Sequence, residues 1–227
     1  MPCSIPGRVA LSHVPNPVLC YVTDRHSLPL QSSATPEQAL EAAAARAARA
    51  GADWIEVREK DLGARPLLEL TRGILLRAAA ARVIVNDRLD VAWAAGAAGV
   101  HLAGNSLPVA AVAHWLGERA GAGFLLGKSC HSAEEAQAAE RDGASYVFFG
   151  PIFATPSKLA YGPPQGLVRL EEVCRQVRLP VLAIGGITGE NARRCIEAGA
   201  AGIAAIRWFQ QPGDIEARVA ALRASLA

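Results

Sequence analysis

A repeated glycine-alanine step constrains the fold of this chain more than any other feature of its sequence. The step begins at four glycines, which are spaced by 45, 47 and 56 residues: Gly51, Gly96, Gly143 and Gly199. Each glycine follows a helical pattern and precedes an apolar run, which is where a helix commonly ends in the left-handed conformation. Each interval is long enough for two strand–helix units. The repeat therefore predicts a chain built from such units.

The alternation of strands and helices predicts an α/β protein, a single-domain (β/α)8 TIM barrel of parallel strands. An apolar run without polar alternation, such as 181–184, is typical of a strand buried on both faces. A doubly wound open sheet remains the alternative. We predict the barrel over residues 19–227 and an irregular arm over residues 1–18, where four prolines break any period.

Hydrophobic period and turn signals predict eight strands and eight helices. The predicted strands span residues 19–24, 54–60, 82–87, 99–103, 124–130, 146–153, 181–187 and 202–206. The predicted helices span residues 36–50, 66–79, 90–95, 109–119, 133–141, 167–177, 189–198 and 214–226.

Composition excludes several classes of partner. The formal net charge is +2, aromatic residues make up 5%, and no basic block is present, so we expect neither nucleic acid nor a membrane as a partner. No apolar run approaches the ~20 residues of a membrane span. The five cysteines show no CxxC pairing, which favours reduced thiols without zinc or disulfides. We therefore expect a cytoplasmic protein.

Gly185 and Gly186 follow the seventh predicted strand and lead to Thr188, which we expect to cap the next helix. Backbone N–H groups at the start of a helix can bind an anion. The glycine pair therefore indicates a phosphate site. The alternative is a plain tight turn, because glycine also serves wherever another group approaches the backbone closely.

The second predicted strand ends in three ionisable side chains that share one parity: Glu56, Arg58 and Lys60. Alternation along a strand sends these side chains to one face and Glu59 to the other. If they face the barrel mouth, the two cations suit an anionic ligand. The alternative is a structural ion pair inside the barrel.

Two further strand ends carry polar residues. Asn86 and Asp87 end the third strand, where the carboxylate could hold a divalent metal or cap the next helix.

On the fifth strand Ser129 shares a face with His131, while Lys128 and Cys130 share the other. A histidine at this position is suited to move a proton, because its ordinary pKa lies near neutrality. We expect His101 on the fourth strand to be structural.

The connection over residues 154–166 is the longest at this end of the predicted barrel. Connections of this length in a compact domain are usually functional. It contains hydroxyl groups at Thr155 and Ser157 and an amino group at Lys158. These groups suggest that the connection is a lid over an anionic ligand. The alternative is a solvated surface loop.

A series of short motifs resembles the thiamine phosphate synthase/TenI superfamily. In chain order they are YVTDR, VREK, IVNDR, GVHL, GKSCHS, YVFFGPIF with TPSK, AIGGIT and GIAAI, and they extend from residue 19 to residue 209. The resemblance implies a barrel that binds a small-molecule thiazole phosphate. It also implies that Ser129 orients this ligand and that Gly185, Gly186, Ala205 and Ile206 hold its phosphate. A homodimer is one assembly that we consider.

Two activities occur in this superfamily, and the resemblance favours one of them. Synthases join a pyrimidine pyrophosphate to the thiazole phosphate and typically have glutamine where this chain has Glu56. They also have a metal-binding aspartate near the position of Ser106, so Asp87 lacks a partner carboxylate. Pyrophosphate contacts remain in the chain at Arg58 and Lys60, and in the 154–166 loop. The synthase alternative would need Mg²⁺ at Asp87.

The pattern G-[KR]-S-x-H-S-x-E-E and the ending GPPQGL resemble the TenI branch, whose members are thiazole tautomerases. We therefore expect an isomerase that aromatises a carboxythiazole phosphate, with His131 as the acid/base and with no metal or other cofactor. Arg207 stands where many relatives have a small hydroxyl residue. A non-catalytic regulator that binds a phosphate ligand is a further alternative.

Overall fold

The computed structural model describes residues 17–29, 34–120, 123–155 and 163–226. Within them, eight parallel strands close into one barrel in which each strand pairs with its neighbours in chain order. The (β/α)8 prediction is confirmed, and the open-sheet alternative is wrong, because β1 pairs with β8. The strands are β1 (Val18–Val22), β2 (Trp54–Val57), β3 (Arg82–Asn86), β4 (Gly99–Leu102), β5 (Leu125–Cys130), β6 (Tyr146–Phe149), β7 (Val181–Ile184) and β8 (Gly202–Ala205).

Helices follow the strands around the outside of the barrel. In the described residues they are α1 (Pro36–Ala50), α2 (Ala64–Arg77), α3 (Leu89–Ala95), α4 (Val109–Gly117), α5 (Ala133–Arg141), α6 (Gly166–Gln176), α7 (Ala192–Glu197), α8 (Arg207–Gln210) and α9 (Ile215–Leu226). A short 3-10 helix, Arg25–Ser27, lies between β1 and α1. No helix of the described chain is both long enough and apolar enough to cross a membrane.

The predicted helix-ending glycines are confirmed. Gly51 ends α1 with a φ of 106°, and Gly96 ends α3 with a φ of 72°. Gly143 and Gly199 also have positive φ, at 96° and 95°. Left-handed backbone is open to glycine without steric cost, so these positions set where helices end and where the next strand starts.

Several predicted bounds differ from the structure, mainly at the mouth of the barrel. β2 ends at Val57 and β6 ends at Phe149, several residues before the predicted ends. β6 is followed by the cis Gly150-Pro151 peptide, and a proline cannot donate a ladder hydrogen bond. The predicted arm lies outside the described residues up to residue 16, and β1 begins at Val18.

The barrel has two apolar layers. The smaller cluster fills the interior with side chains from seven of the strands, among them Val22, Trp54, Ile84, Tyr146 and Phe148. The larger cluster lies between the strands and the helices and includes the alternate strand residues. This alternation decides which strand-end side chains reach the barrel mouth.

Candidate active site

Glu56 points into the barrel, as predicted. It pairs in register with Val22 on β1 and with Ile84 on β3, both of which belong to the interior cluster. The side chain is 2% exposed, and its carboxyl makes no hydrogen bond or ion pair with any other described residue. Burial raises the pKa of this carboxyl to about 8, an effect that nearby Arg58 opposes. Among the described residues, Glu56 thus has no partner for a structural ion pair inside the barrel.

The buried ion pair of this region involves Glu59 instead. Its carboxylate accepts a hydrogen bond from Thr23 Oγ1 at 2.6 Å and from Arg25 Nη1 at 2.9 Å. Both oxygens also accept from the Arg25 backbone N–H, each at 3.2 Å. Arg25 further binds Asp61, which holds the pKa of the Asp61 carboxyl far below its usual range. The network joins the end of β1 to the end of β2.

Arg58 and Lys60 flank this buried carboxylate. Arg58 is half-buried and Lys60 is exposed. The Arg58 backbone N–H donates to Thr23 Oγ1 at 2.9 Å, so the residue that holds Glu59 also fixes the backbone of Arg58. The structure thus places both predicted cations just past the end of β2, where their charges oppose the effect of burial on the pKa of the Glu56 carboxyl.

Asn86 and Asp87 lie at the end of β3. Asn86 Nδ2 donates to Asp87 Oδ2 at 2.9 Å, and the Ala103 N–H donates to Asp87 Oδ1 at 2.7 Å. The helix-cap interpretation of Asp87 is wrong, because α3 begins at Leu89 after Arg88 and no side chain caps it. Asp87 instead holds the loop after β4 to the end of β3.

Asp87 can still serve as a single metal ligand. The described residues contain no group of three or more side chains of His, Cys, Asp or Glu that could hold a metal ion. A carboxylate offers about four acceptor positions, and the two hydrogen bonds at Asp87 use two of them. Mg²⁺ is commonly held by one or two carboxylates together with substrate phosphates, so the donor set fits Mg²⁺ only when a ligand supplies further oxygens.

His101 lies inside the barrel between two other polar side chains. Its Nδ1 is 3.1 Å from Tyr146 Oη and its Nε2 is 2.8 Å from Ser129 Oγ. His101 is 1% exposed, and burial lowers the pKa of the ring to about 3. Ser129 pairs with Phe148 of the interior cluster, so it lies on the inner face of β5.

His131 lies just past β5 and is exposed. Its Nδ1 is 2.6 Å from the Gly150 carbonyl oxygen, so this nitrogen is the donor.

Cys130 packs in the outer apolar layer, where burial raises the pKa of the thiol to about 12. Lys128 lies on the same strand face as Cys130, and its ammonium group donates to the carbonyl oxygens of Ala103 and Gly104. Cys130 and His131 therefore do not act as a pair.

The glycine pair after β7 is required by contacts within the protein. Gly185 and Gly186 have φ of 95° and 67°. A Cβ on Gly185 would lie 2.6 Å from Pro151, and one on Gly186 would lie 2.8 Å from the Ala154 carbonyl oxygen. The segment after β6 therefore lies in close contact with the backbone of both glycines.

The predicted capping role of Thr188 is wrong. α7 begins only at Ala192, and the turn before it is held by Asn191. The Thr188 N–H donates to Asn191 Oδ1 at 2.8 Å, and Asn191 Nδ2 donates to the Gly186 carbonyl oxygen at 2.9 Å. The asparagine side chain thus ties Thr188 to the backbone of the glycine pair.

The remaining predicted residues are distributed around the mouth. Ala205 ends β8 and is buried, Ile206 precedes α8, and Arg207 is exposed. Thr155 is half-buried at the start of the long connection. Ser157 and Lys158 lie outside the described residues.

Three groups in the barrel interior or at its mouth were not predicted as site residues from the sequence. They are Tyr146, Lys128, and the set formed by Thr23, Arg25 and Glu59. The sequence signals for the last set are the motifs YVTDR, which contains Thr23 and Arg25, and VREK, which contains Glu59. Neither motif predicts that these residues bind one another, because the direction of a side chain does not predict a partner on another strand.

Comparison with known proteins places this geometry in a family. A family model described as thiamine monophosphate synthase matches residues 19–209. The thiamine-phosphate synthase of Roseiflexus castenholzii is 46% identical over 178 residues, which cover 78% of this chain and 76% of that protein. The enzyme of the same name from Methanoculleus marisnigri is 45% identical over 183 residues, covering 80% and 85%. The solved structure of thiamine phosphate pyrophosphorylase from Pyrococcus furiosus is 31% identical, with a TM-score of 0.77 over 92% of this chain and 95% of that chain.

These comparisons overturn the expectation of a thiazole tautomerase. The relatives named as synthases, and therefore as transferases, match most of the chain at 41–46% identity, so the assignment to an isomerase is wrong. The motif that suggested the tautomerase branch has structural partners here. His131 binds the Gly150 carbonyl oxygen, and Ser132 caps α5 by accepting from the Glu135 N–H.

Proposed function

Because this chain belongs to the thiamine monophosphate synthase family, we propose that it is a transferase that joins a pyrimidine pyrophosphate to a thiazole phosphate. The thiazole nitrogen supplies the electron pair for the new C–N bond, and the C–O bond to the pyrophosphate breaks, so inorganic pyrophosphate leaves. The observation that carries the proposal is the 46% identity to a relative named thiamine-phosphate synthase over most of both chains. The polar groups at the barrel mouth support it.

Such a reaction needs two anion sites and a polarised leaving group. We assign the pyrophosphate to the side of the mouth formed by the ends of β2 and β3, where cationic and hydrogen-bonding groups are found. The residues that would contact it are Arg58, Lys60, Asn86, Thr155, Ser157 and Lys158. The thiazole phosphate would lie opposite, against the backbone of Gly185, Gly186, Ala205 and Ile206.

Asp87 is the residue that would hold Mg²⁺ between the protein and the pyrophosphate. The ion would supply positive charge to the departing pyrophosphate oxygens when bound. Asn86 and the Ala103 N–H orient the Asp87 carboxylate by their hydrogen bonds. The turn that Asp87 holds also contains Ser106, whose N–H donates to the Ala103 carbonyl oxygen at 3.2 Å. A hydroxyl therefore stands near the position where the synthase pattern has its second carboxylate.

Glu56, which stands where the synthase pattern has glutamine, is compatible with this activity. With its pKa raised to about 8, the carboxyl keeps its proton near neutral pH. A protonated carboxyl offers one O–H donor and acceptor oxygens, which resembles the hydrogen-bonding capacity of a glutamine amide. Glu56 can thus present to a ligand the same kinds of group as the glutamine of the synthase pattern.

The decisive experiment measures formation of thiamine phosphate by the purified protein with both substrates. We expect a rate that depends on Mg²⁺ and is abolished by a chelator. Asp87→Asn should lower kcat by roughly a hundredfold, within the range lost when one group that stabilises developing charge is removed. Asn tolerates left-handed backbone, and Asp87 has a φ of 60°, so the variant should fold.

Asp90→Asn is the matched control. Asp90 lies three positions along the chain, pairs with Arg88 at 2.6 Å and is 63% exposed. It should leave the rate within about twofold, as surface substitutions usually do. Binding of thiazole phosphate without any coupling would favour the non-catalytic alternative. A cytoplasmic location and a homodimer remain predictions.

A further inference from the structure

Three polar side chains form a chain of hydrogen bonds across the middle strands of the barrel. Tyr146 on β6 contacts His101 on β4, and His101 contacts Ser129 on β5, at 3.1 Å and 2.8 Å. Tyr146 is 0% exposed and His101 is 1% exposed, whereas Ser129 is half-buried nearer the mouth. The chain of contacts therefore leads from the sealed interior to the ligand side.

Hydrogen-bond geometry decides where the proton of the imidazole ring lies. A neutral imidazole has one donor nitrogen and one acceptor nitrogen. The only hydrogen-bond partner of Tyr146 Oη among the described residues is His101 Nδ1. If Nδ1 carried the proton, the buried hydroxyl hydrogen of Tyr146 would have no acceptor, which is costly. Tyr146 therefore donates to Nδ1, and the ring proton lies on Nε2.

This arrangement determines what Ser129 can do. His101 Nε2–H donates to Ser129 Oγ, so the hydroxyl hydrogen of Ser129 is not used within the chain of contacts. A hydroxyl has one donor hydrogen. The hydrogen of Ser129 is then available to an acceptor in the mouth.

Close packing keeps the three side chains in these positions. A Cβ on Gly127 would lie 2.2 Å from Tyr146 Cζ and 2.5 Å from His101 Nδ1, so the contact between the two rings rests directly on the backbone of β5. The Phe148 ring lies against His101 with centroids 4.2 Å apart, and Trp54 meets Tyr146 edge-on at 4.9 Å. The rings have little room to turn or flip.

We propose that Tyr146 and His101 are positioning residues that make Ser129 a hydrogen-bond donor to an oxygen of the bound pyrophosphate group. The identity of this ligand rests on the proposed function. Its side of the mouth follows from the contacts of His101, which pairs in register with Asn86 and whose carbonyl oxygen accepts from the Asp87 N–H at 2.8 Å. Through His101, the Ser129 hydroxyl is thus turned toward β4 and the neighbouring end of β3.

The first test is spectroscopic and needs no activity. Nitrogen-15 spectra of the histidine side chains should show that His101 is neutral, with the proton on Nε2 and with Nδ1 accepting a hydrogen bond. Tyr146→Phe should shift the Nδ1 resonance to that of a nitrogen without a partner. Tyr21→Phe is the matched control, because Tyr21 is also fully buried and also has one side-chain partner, Gln210. It should leave the His101 resonances unchanged.

The second test measures binding of inorganic pyrophosphate in the presence of Mg²⁺. Ser129→Ala should weaken this binding about tenfold, the size expected for one hydrogen bond to a charged group. Tyr146→Phe should weaken it about threefold, because Ser129 is then free to turn its hydrogen toward His101. In the Ser129→Ala background, Tyr146→Phe should have no further effect on the affinity. A purely structural tyrosine would give losses that multiply.

The outcomes separate this inference from the proposed function. A proton on Nδ1, multiplying losses, or a wild-type protein that binds no pyrophosphate would each overturn the inference. A wild-type protein that binds pyrophosphate but forms no thiamine phosphate would overturn the proposed function alone. An Nε2 proton together with losses that do not multiply would support the inference in either case.

Discussion

On one side of the barrel mouth, charged or hydrogen-bonding side chains lie at or just past the ends of β2 and β3, whereas on the other side two glycines follow β7 and β8 ends in the small apolar Ala205. The first side needs supporting partners, and Thr23, Arg25 and Glu59 supply them through buried hydrogen bonds. On the second side the segment after β6 lies close to the backbone, and only residues without a side chain, Gly185 and Gly186, leave room for it. Substitutions on the two sides should therefore change stability and ligand binding for different physical reasons.

The largest effect is expected on the backbone side. Gly185→Ala would place a Cβ 2.6 Å from Pro151 while forcing a φ of 95° on alanine, so the segment after β6 must move. We expect a loss of about 3 kcal/mol of unfolding free energy, together with a loss of thiazole phosphate binding. Chemical denaturation and calorimetric titration would measure the two losses.

Gly117→Ala is the control for this substitution. Gly117 lies in α4 without a positive φ, and a Cβ added there would have no other atom within 4 Å. Alanine at this position should preserve stability or raise it by about 0.5 kcal/mol. If Gly185→Ala behaved like this control, the contact between the turn and Pro151 would not be the reason for the glycine.

On the side-chain side, Glu56→Gln should stabilise the protein. The folded state raises the pKa of this carboxyl from 4.5 to about 8, so between these values it holds a proton that the unfolded chain has released. Stability is therefore lost as the pH rises from about 4.5 to about 8, and the loss is about 3 kcal/mol at pH 7. Glutamine carries no such penalty.

Denaturation as a function of pH tests this expectation. The difference in unfolding free energy between Glu56→Gln and wild type should be near zero below about pH 4.5 and should increase in favour of the variant up to about pH 8. The exposed Glu69 provides a control, since Glu69→Gln should change stability by less than about 0.5 kcal/mol. A difference between Glu56→Gln and wild type that does not vary with pH would show that the carboxyl is not desolvated in the folded protein.

A smaller effect is expected at Glu59. In Glu59→Gln the amide would set an NH₂ group against donors of Thr23 and Arg25, which should cost about 2 kcal/mol of stability. Because Thr23 also holds the Arg58 backbone, inorganic pyrophosphate should bind about tenfold more weakly, the equivalent of one charge-assisted hydrogen bond.

Glu37→Gln separates this effect from a general loss of charge near Arg25. Glu37 also pairs with Arg25, at 3.3 Å, but it is 38% exposed and does not contact Thr23. Its removal should change pyrophosphate affinity by less than about twofold, as expected for an exposed ion pair. Equal losses in the two variants would remove Glu59 from the support of Arg58.

Local patterns in the sequence predicted much of this molecule. The glycine repeat and the apolar runs predicted the eight strands, and strand parity placed Glu56 on the inner face of β2 and Ser129 opposite to Lys128 and Cys130. These features depend on neighbours a few residues away, which periodicity records. Strand parity also separated Glu59 from Glu56, although it did not predict the partner of either carboxyl.

The features that the sequence did not predict depend on contacts between distant residues. Arg25 and Glu59 are 34 positions apart, and His101 and Tyr146 are 45 positions apart, so only the closed barrel brings each pair together. The helix after β7 starts later than predicted because Asn191, rather than Thr188, holds the turn. The tautomerase expectation rested on the pattern G-[KR]-S-x-H-S-x-E-E, on the ending GPPQGL and on the departures at Glu56 and Ser106. These short-range signals do not outweigh 41–46% identity to relatives named thiamine-phosphate synthase over most of the chain.

The central claim is that the two sides of the mouth hold two different anions at the same time. Calorimetric titration of inorganic pyrophosphate with Mg²⁺, in the absence and presence of saturating thiazole phosphate, tests it most directly. We expect one equivalent of pyrophosphate in both titrations, with affinities that agree within about threefold, since separate sites without coupling do not change one another's affinity. If thiazole phosphate displaced the pyrophosphate instead, both anions would share one site and the division of the barrel mouth would be contradicted.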